Sequence, residues 1–147
     1  MMATVEWKGF AETLRNEATT WDLFTVLEVD WADGLVRRSY SSDECSYPSG
    51  GTKKLMDSEW AKHVIHRQNV FSANDEMAFR SAFADYELLE SMGLRFALNL
   101  PIVEKGRTVR TLNLLRSTPA FGEKDLSRVF ELLENLLGTI RRRGSDD

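Results

Sequence analysis

Apolar residues recur at Trp7, Phe10, Ala11, Leu14 and Ala18, the three-and-four spacing of one helix face. That spacing predicts an amphipathic helix over about residues 4 to 18, with Thr4 as its N-cap. From Trp21 to Asp30 the chain turns rich in β-branched and aromatic residues, with Trp21, Leu23, Leu27 and Val29 on one face and Phe24 and Val26 on the other. A strand apolar on both faces is expected in the middle of a sheet that is covered on both sides. Ala32-Asp33-Gly34 supplies a tight turn into a second strand, Leu35 to Ser42, so the first two strands form a hairpin.

Residues 43 to 56 hold Pro48, Gly50 and Gly51 among polar residues and read as loop. A helix from about Asp57 to Arg67, a short strand from Val70 to Ala73, and one or two short helices from Asp75 to Gly93, broken near Ala84-Asp85, follow. Leu94 to Val103 and Thr108 to Arg116 are strands joined by Glu104-Lys105-Gly106-Arg107, where glycine tolerates the positive φ of a hairpin turn. Leu126, Val129, Phe130, Leu133, Leu137 and Ile140 mark a long final helix, with Gly122 and Asp125 at its start. Two hairpins flanked by helices, without alternating strand and helix, predict an α+β fold. A single domain is expected over 1–143, with a disordered tail at 144–147.

Composition narrows the function classes. The 147 residues are 42% apolar and 29% charged, the balance of a globular chain. No run approaches the roughly 20 apolar residues that cross a bilayer, and the N-terminal residues lack a leader pattern; a cytoplasmic protein without membrane contact is expected. A net charge of −4 speaks against nucleic-acid binding, and the basic run Arg141 to Arg143 suits the C-terminal end of a helix. The single cysteine, Cys45, forms no internal disulfide, and no Cys/His spacing matches a zinc site.

Candidate chemistry is sparse. Glu59, His63 and His66 share one helical face, but the same helix presents Met56, Trp60 and Val64 as its buried stripe, so the histidines read as solvated and no metal or other cofactor is expected. Asp43 and Glu44 beside Cys45 disfavour a thiolate, and Gly50-Gly51 lacks the spacing of a phosphate loop. The richer set is the aromatic belt between the hairpins: Tyr47, Trp60, Phe71, Phe79, Phe83, Tyr86 and Phe96. Asn74, Asp75, Arg80, Arg95, Asn99 and Asn113 are the polar groups expected to accompany it in a pocket. Arg95 and Asn99 alternate onto the strand face opposite Phe96, Leu98, Leu100 and Ile102. Residues 47 to 113 hold nine Lys or Arg against eight Asp or Glu, the least acidic part of the chain, which points to a neutral or anionic ligand with Arg80 and Arg95 as its cations.

The stretch Tyr47-Pro48-Ser49-Gly50-Gly51-Thr52-Lys53, then Trp60, Phe71, Asn74-Asp75, Leu98-Asn99-Leu100-Pro101-Ile102, Gly106 and Thr111-Leu112-Asn113-Leu114 resembles bacterial stand-alone GAF-domain proteins over about residues 4 to 140. The apolar-Pro-apolar triplet, glycine turn and final strand are typical of GAF domains generally; the Tyr-Pro-x-Gly-Gly element resembles a small subgroup. The resemblance implies a central antiparallel sheet with the first and last helices on one face, and loops and short helices closing a ligand cavity on the other. It further implies a noncatalytic, small-molecule-binding sensory protein; an enzyme using the cavity and a ligand-free dimerisation domain are the alternatives. The cyclic-nucleotide signature, the bilin-attaching cysteine and the several cysteines of free methionine-(R)-sulfoxide reductases have no counterpart here. A second apolar row on the last helix, Leu132 and Leu136, leads to the expectation of a homodimer through the terminal helices.

Overall fold

The computed structural model describes residues 6–55 and 58–145, with side chains through Thr139. The proposed N-cap Thr4, the stripe residue Met56, the helix start at Asp57, residues 146 and 147, and the side chains of Ile140 and Arg141 to Arg143 lie outside the described residues. The chain divides into two compact units, Met1–Thr20 with Gly122–Asp147, and Trp21–Phe121.

In the first unit, α1 (Trp7–Glu17) meets α5 (Glu123–Ser145). Phe10, Ala11 and Leu14 are the buried positions of α1. Asp125 ties the unit together: one carboxylate oxygen accepts from Thr19 Oγ1 at 2.6 Å and the other from Gly122 N at 2.8 Å. The buried residues of α5 are Val129, Leu133 and Leu137, spaced by four. Phe130, expected in that stripe, is instead 52% exposed; one residue further along a helix turns the side chain by about 100° away from the stripe. The helix continues past Arg143 to Ser145.

The second unit is a six-stranded antiparallel sheet in the order β3-β2-β1-β6-β5-β4, where β1 is Leu23–Asp30, β2 Leu35–Ser41, β3 Thr52–Lys54, β4 Phe71–Ala73, β5 Phe96–Glu104 and β6 Arg107–Arg116. β1 lies inside the sheet, as its two apolar faces demand. The expected loop over 43 to 56 contains β3, which pairs Lys53 with Val36 at the sheet edge. Its Thr-Lys-Lys composition hides it from hydrophobic patterning, because an edge strand tolerates and favours charge. The second hairpin turns through Lys105 and Gly106 at φ 52° and 79°, the two positive values that a two-residue turn of the twist-compatible kind requires.

Between the hairpins, Ser58 caps α2 (Glu59–Ala61) by accepting from Ala61 N at 3.0 Å. α2 then widens into a π-helical turn, Lys62–His66, where a regular helix was expected. α3 (Glu76–Ala82) and α4 (Tyr86–Ser91) are separated at Phe83 to Asp85, close to the expected break.

Directly opposed residues in neighbouring strands share a face of the sheet. Register therefore aligns Phe71, Asn99, Asn113, Thr25 and Ser41 in one row across five strands. On the same face, Leu27 opposes Arg38, and Val36 opposes both Val29 and Lys53. Two buried clusters cover this face, one around Leu23, Tyr47, Phe79, Leu89 and Leu115, the other around Val36, Leu55, Trp60, Val64 and Ile65. Among the described residues no helix is long and apolar enough to cross a membrane.

Candidate functional site

The row of polar residues on the covered face is satisfied from within. Trp60 Nε1 donates to Asn99 Oδ1 at 3.0 Å, and Asn99 Nδ2 donates to Asn113 Oδ1 at 2.7 Å. Asn113 Nδ2 in turn donates to Thr25 Oγ1 at 3.3 Å, and Thr111 Oγ1 donates to Asn113 Oδ1 at 3.3 Å. Burying amides is tolerable only when each end has a partner, and Asn99, with no exposed surface, has both ends occupied.

Beside this network a cleft of about 450 Å³ opens over the β3 edge of the sheet. Its floor is Thr25, Leu27, Val36, Asn113 and Leu115, and its walls are Arg38, Tyr47, Trp60, Phe83 and Asp85 with the strand residues Gly51 to Lys53. Two cations lie on aromatic rings: the Arg38 guanidinium 3.6 Å from the Tyr47 ring centre, and Lys53 Nζ 4.2 Å from that of Trp60. Such contacts are favourable, more so as water is excluded.

Arg38 is held on every side. Its Nη1 donates to the Pro48 carbonyl at 2.6 Å and its Nη2 pairs with Asp85 at 3.6 Å. Its own backbone exchanges hydrogen bonds with the two glycines, Arg38 N to Gly51 O at 2.8 Å and Gly50 N to Arg38 O at 2.7 Å. Gly50 takes φ 99°, and a Cβ on Gly51 would stand 3.2 Å from Arg38 Nη1. The Tyr-Pro-Ser-Gly-Gly segment is therefore a collar: glycine allows the turn and the close approach, Pro48 offers its carbonyl, and Tyr47 offers its ring.

Burial, and then the nearby Asp85 carboxylate, push the Tyr47 phenol far above its ordinary value, so it stays neutral. Burial pulls the Lys53 ammonium below its ordinary value, with Asp85 opposing that shift and Arg38 adding to it.

No family model matches the sequence, and no curated protein matches it. Solved structures do match the fold. The GAF domain of a two-component sensor histidine kinase from Bacillus halodurans aligns with a TM-score of 0.73 at 16% identity, over 94% of this chain and 92% of that one. The chain has the GAF fold. A GAF domain/HD domain protein from Geobacter sulfurreducens gives a TM-score of 0.73 at 11% identity, over 92% and 90% of the two chains. A type II free methionine-R-sulfoxide reductase from Thermoplasma acidophilum gives 0.67 at 9% identity, over 93% and 91%. Similarity this distant speaks for the fold and not for the chemistry.

In this GAF fold the residues expected to form a pocket separate into groups. Tyr47, Trp60 and Phe83 meet in the cleft with Asn113. Asn99 stands behind Trp60 as its hydrogen-bond acceptor, not as a lining group. Phe71 and Phe79 are packed into the clusters beneath. Asn74 brackets the backbone of Phe121, donating to its carbonyl at 3.0 Å and accepting from its N–H at 3.1 Å. Asp75 caps α3 through Ala78 N at 2.8 Å.

The two arginines expected to recognise an anion do not reach the cleft. Arg80 is tied at the surface to Glu76 and Glu90 and lies 5.0 Å from the Tyr86 ring centre; that pairing raises Arg80 and lowers Glu90 from their ordinary values. Arg95 donates to the carbonyls of Glu90 and Leu94 and lines a separate cavity of about 390 Å³ with Asp75, Glu76, Phe79, Glu90 and Phe96. The cations of the cleft are Arg38 and Lys53, and its acid is Asp85. Alternation along β2 already groups Arg38 with Val36, which was the available signal; Lys53 sat in an unrecognised strand and carried none.

His63 Nε2 lies 2.9 Å from the Val70 carbonyl, and His66 packs edge-on against Trp31. Among the described residues no group of three His, Cys, Asp or Glu is placed to hold a metal. Cys45 is exposed and does not line the cleft.

Proposed function

We propose that this protein is a sensory module that binds a small molecule in the cleft beneath Tyr47, Trp60 and Phe83. The observation that carries the reading is the cleft's construction: an apolar floor, three aromatic walls and a few aimed polar groups in about 450 Å³, the make-up of a small-ligand site. That the fold is shared with a domain of a sensor histidine kinase adds support. Native mass spectrometry of freshly purified protein, followed by a mixed-charge fragment screen read by tryptophan fluorescence, tests it. A ligand whose binding is lost in Phe83→Trp, which fills the cleft, is the expected result; a screen whose hits ignore that substitution overturns it.

Catalysis in the same cleft is the second reading, because one structure with this fold is a methionine sulfoxide reductase. Thiol chemistry requires a thiol at the substrate, and Cys45 lies exposed outside the lining. Binding without turnover is therefore the reading we hold, and Cys45→Ser is expected to leave ligand affinity unchanged. Turnover of free methionine sulfoxide by the parent, lost in that variant, contradicts it.

A homodimer through the terminal helices belongs to the same proposal. Its support is Phe130, 52% exposed on α5, with Leu132 and Leu136 only half-buried, an apolar surface of the kind that second copies cover. Light scattering at micromolar concentration reads it directly: a mass near 16.8 kDa for the parent contradicts a dimer, and Leu136→Glu is expected to produce the monomer.

A further inference from the structure

We propose that the cleft selects a small monocarboxylate with a flat apolar body, its carboxylate paired with Lys53 and its body laid against Trp60, Tyr47 and Phe83. This rests on the cleft being a ligand site and names the class of ligand it takes.

The charges in the cleft do not balance. Its lining holds Arg38, Lys53 and Asp85. Asp85 is engaged by Arg38, whose remaining contacts go to the Pro48 carbonyl and the Tyr47 ring. Lys53 has no carboxylate within ion-pairing distance among the described residues; its one close polar contact is the Trp60 ring. A partly buried ammonium without an ion-paired carboxylate is costly, and burial lowers its proton affinity against the opposing, more distant pull of Asp85. A ligand carboxylate supplies the missing charge and favours the protonated form.

The rest of the lining sets the ligand's size and valence. A dianionic phosphate calls for several donors and more than one unpaired cation; the charge of Arg38 is already paired with Asp85, which leaves one cation for one negative charge. A cationic ligand would need Asp85, whose carboxylate is neutralised by Arg38. Thr25 Oγ1 accepts from Asn113, so its hydroxyl proton is available as a second donor facing the same volume. The floor of Leu27, Val36 and Leu115 and the aromatic walls favour a planar hydrocarbon body.

Matched acids and amides test this: phenylacetate against phenylacetamide, and indole-3-acetate against indole-3-acetamide, titrated calorimetrically into the full chain at neutral pH. At least one acid is expected to bind at least about tenfold more tightly than its amide. Lys53→Met, which keeps the hydrocarbon stem over Trp60 but removes the charge, is expected to erase that ratio, and Lys53→Arg to retain most of it, with circular dichroism confirming that both variants fold. The acid's affinity is expected to fall as pH rises and the ammonium loses its proton. Acids and amides binding equally, or an acid preference that survives in Lys53→Met, overturns the proposal while the cleft remains a ligand site. If acids, amides and the matching amines all fail to bind, the small-molecule reading of the cleft fails with it.

Discussion

The amides of Asn99 and Asn113 and the charges of Arg38 and Lys53 occupy the same face of one sheet, with Asp85 reaching them from the break between α3 and α4, yet burial has been met differently at the two places. In the amide network every donor described ends on an acceptor, from Trp60 through Asn99 and Asn113 to Thr25. In the cleft, Arg38 and Asp85 satisfy each other and Lys53 is left over. A closed network fixes the position of a wall, here Trp60, whereas an open one creates a demand that only something arriving from outside can meet. Stability and recognition are thereby assigned to adjacent groups joined through one tryptophan.

Breaking the closed network should cost most. Asn99→Leu strands the Trp60 indole N–H and leaves Asn113 Oδ1 with only its weaker donor, Thr111 Oγ1; with about 1–3 kcal/mol for a buried group left unpaired, a loss of about 1–3 kcal/mol is expected. Urea unfolding measures it, and a change under about 0.5 kcal/mol would show that the row of amides is not structural.

Alkaline pH should separate the two titrating groups of the cleft. The Tyr47 phenol ionises more readily in the unfolded chain than in the fold, so the native state holds more protons above about pH 10, and stability should fall as pH rises there. Linkage limits a single proton to about 1.4 kcal/mol per pH unit, and Tyr47→Phe should remove that slope. Lys53 acts in the opposite sense. Its folded value is depressed, so between that value and about 10.5 the unfolded chain binds more protons and stability should rise with pH. Lys53→Met should flatten this rise and raise neutral-pH stability slightly, an outcome that no closed network would give.

A smaller effect is expected at the collar. Gly51→Ala places a Cβ 3.2 Å from the end of the flexible Arg38 side chain, so unfolding stability should change by no more than about 1 kcal/mol. Affinity for the acid probes should shift more than that stability does. Arg80→Ala should have the smallest effect. The ion pairs of Arg80 with Glu76 and Glu90 are solvent-facing, and such pairs contribute little; neither the melting temperature nor acid binding should move beyond error.

Much of the scaffold was legible from local signals. The first hairpin, the Lys105-Gly106 turn, the break between α3 and α4 and the amphipathic terminal helices are each written within a dozen neighbouring residues, because periodicity and turn chemistry act at short range. The strand β3 was missed for the same reason: its three polar residues have no pattern of their own, and only pairing with β2 makes them a strand. Asn99 and Arg95 were grouped onto one face by alternation, but Arg95 precedes the strand and turns back to carbonyls beside it, while Asn99 meets a tryptophan 39 positions away.

By itself the chain determined an α+β architecture, its hairpins, and the belt of aromatics from which the cleft draws Tyr47, Trp60 and Phe83. Tertiary structure alone decided which cations face that belt. Arg80 is ion-paired with Glu76 and Glu90 and Arg95 is tied to the carbonyls of Glu90 and Leu94, while the fold carries Arg38 and Lys53 onto adjacent strands under two rings. The physical reason is that a charge is poised for a ligand when it is partly buried without an ion-paired partner, and burial and pairing are set by strand register and long-range packing rather than by a residue's own neighbours in the chain.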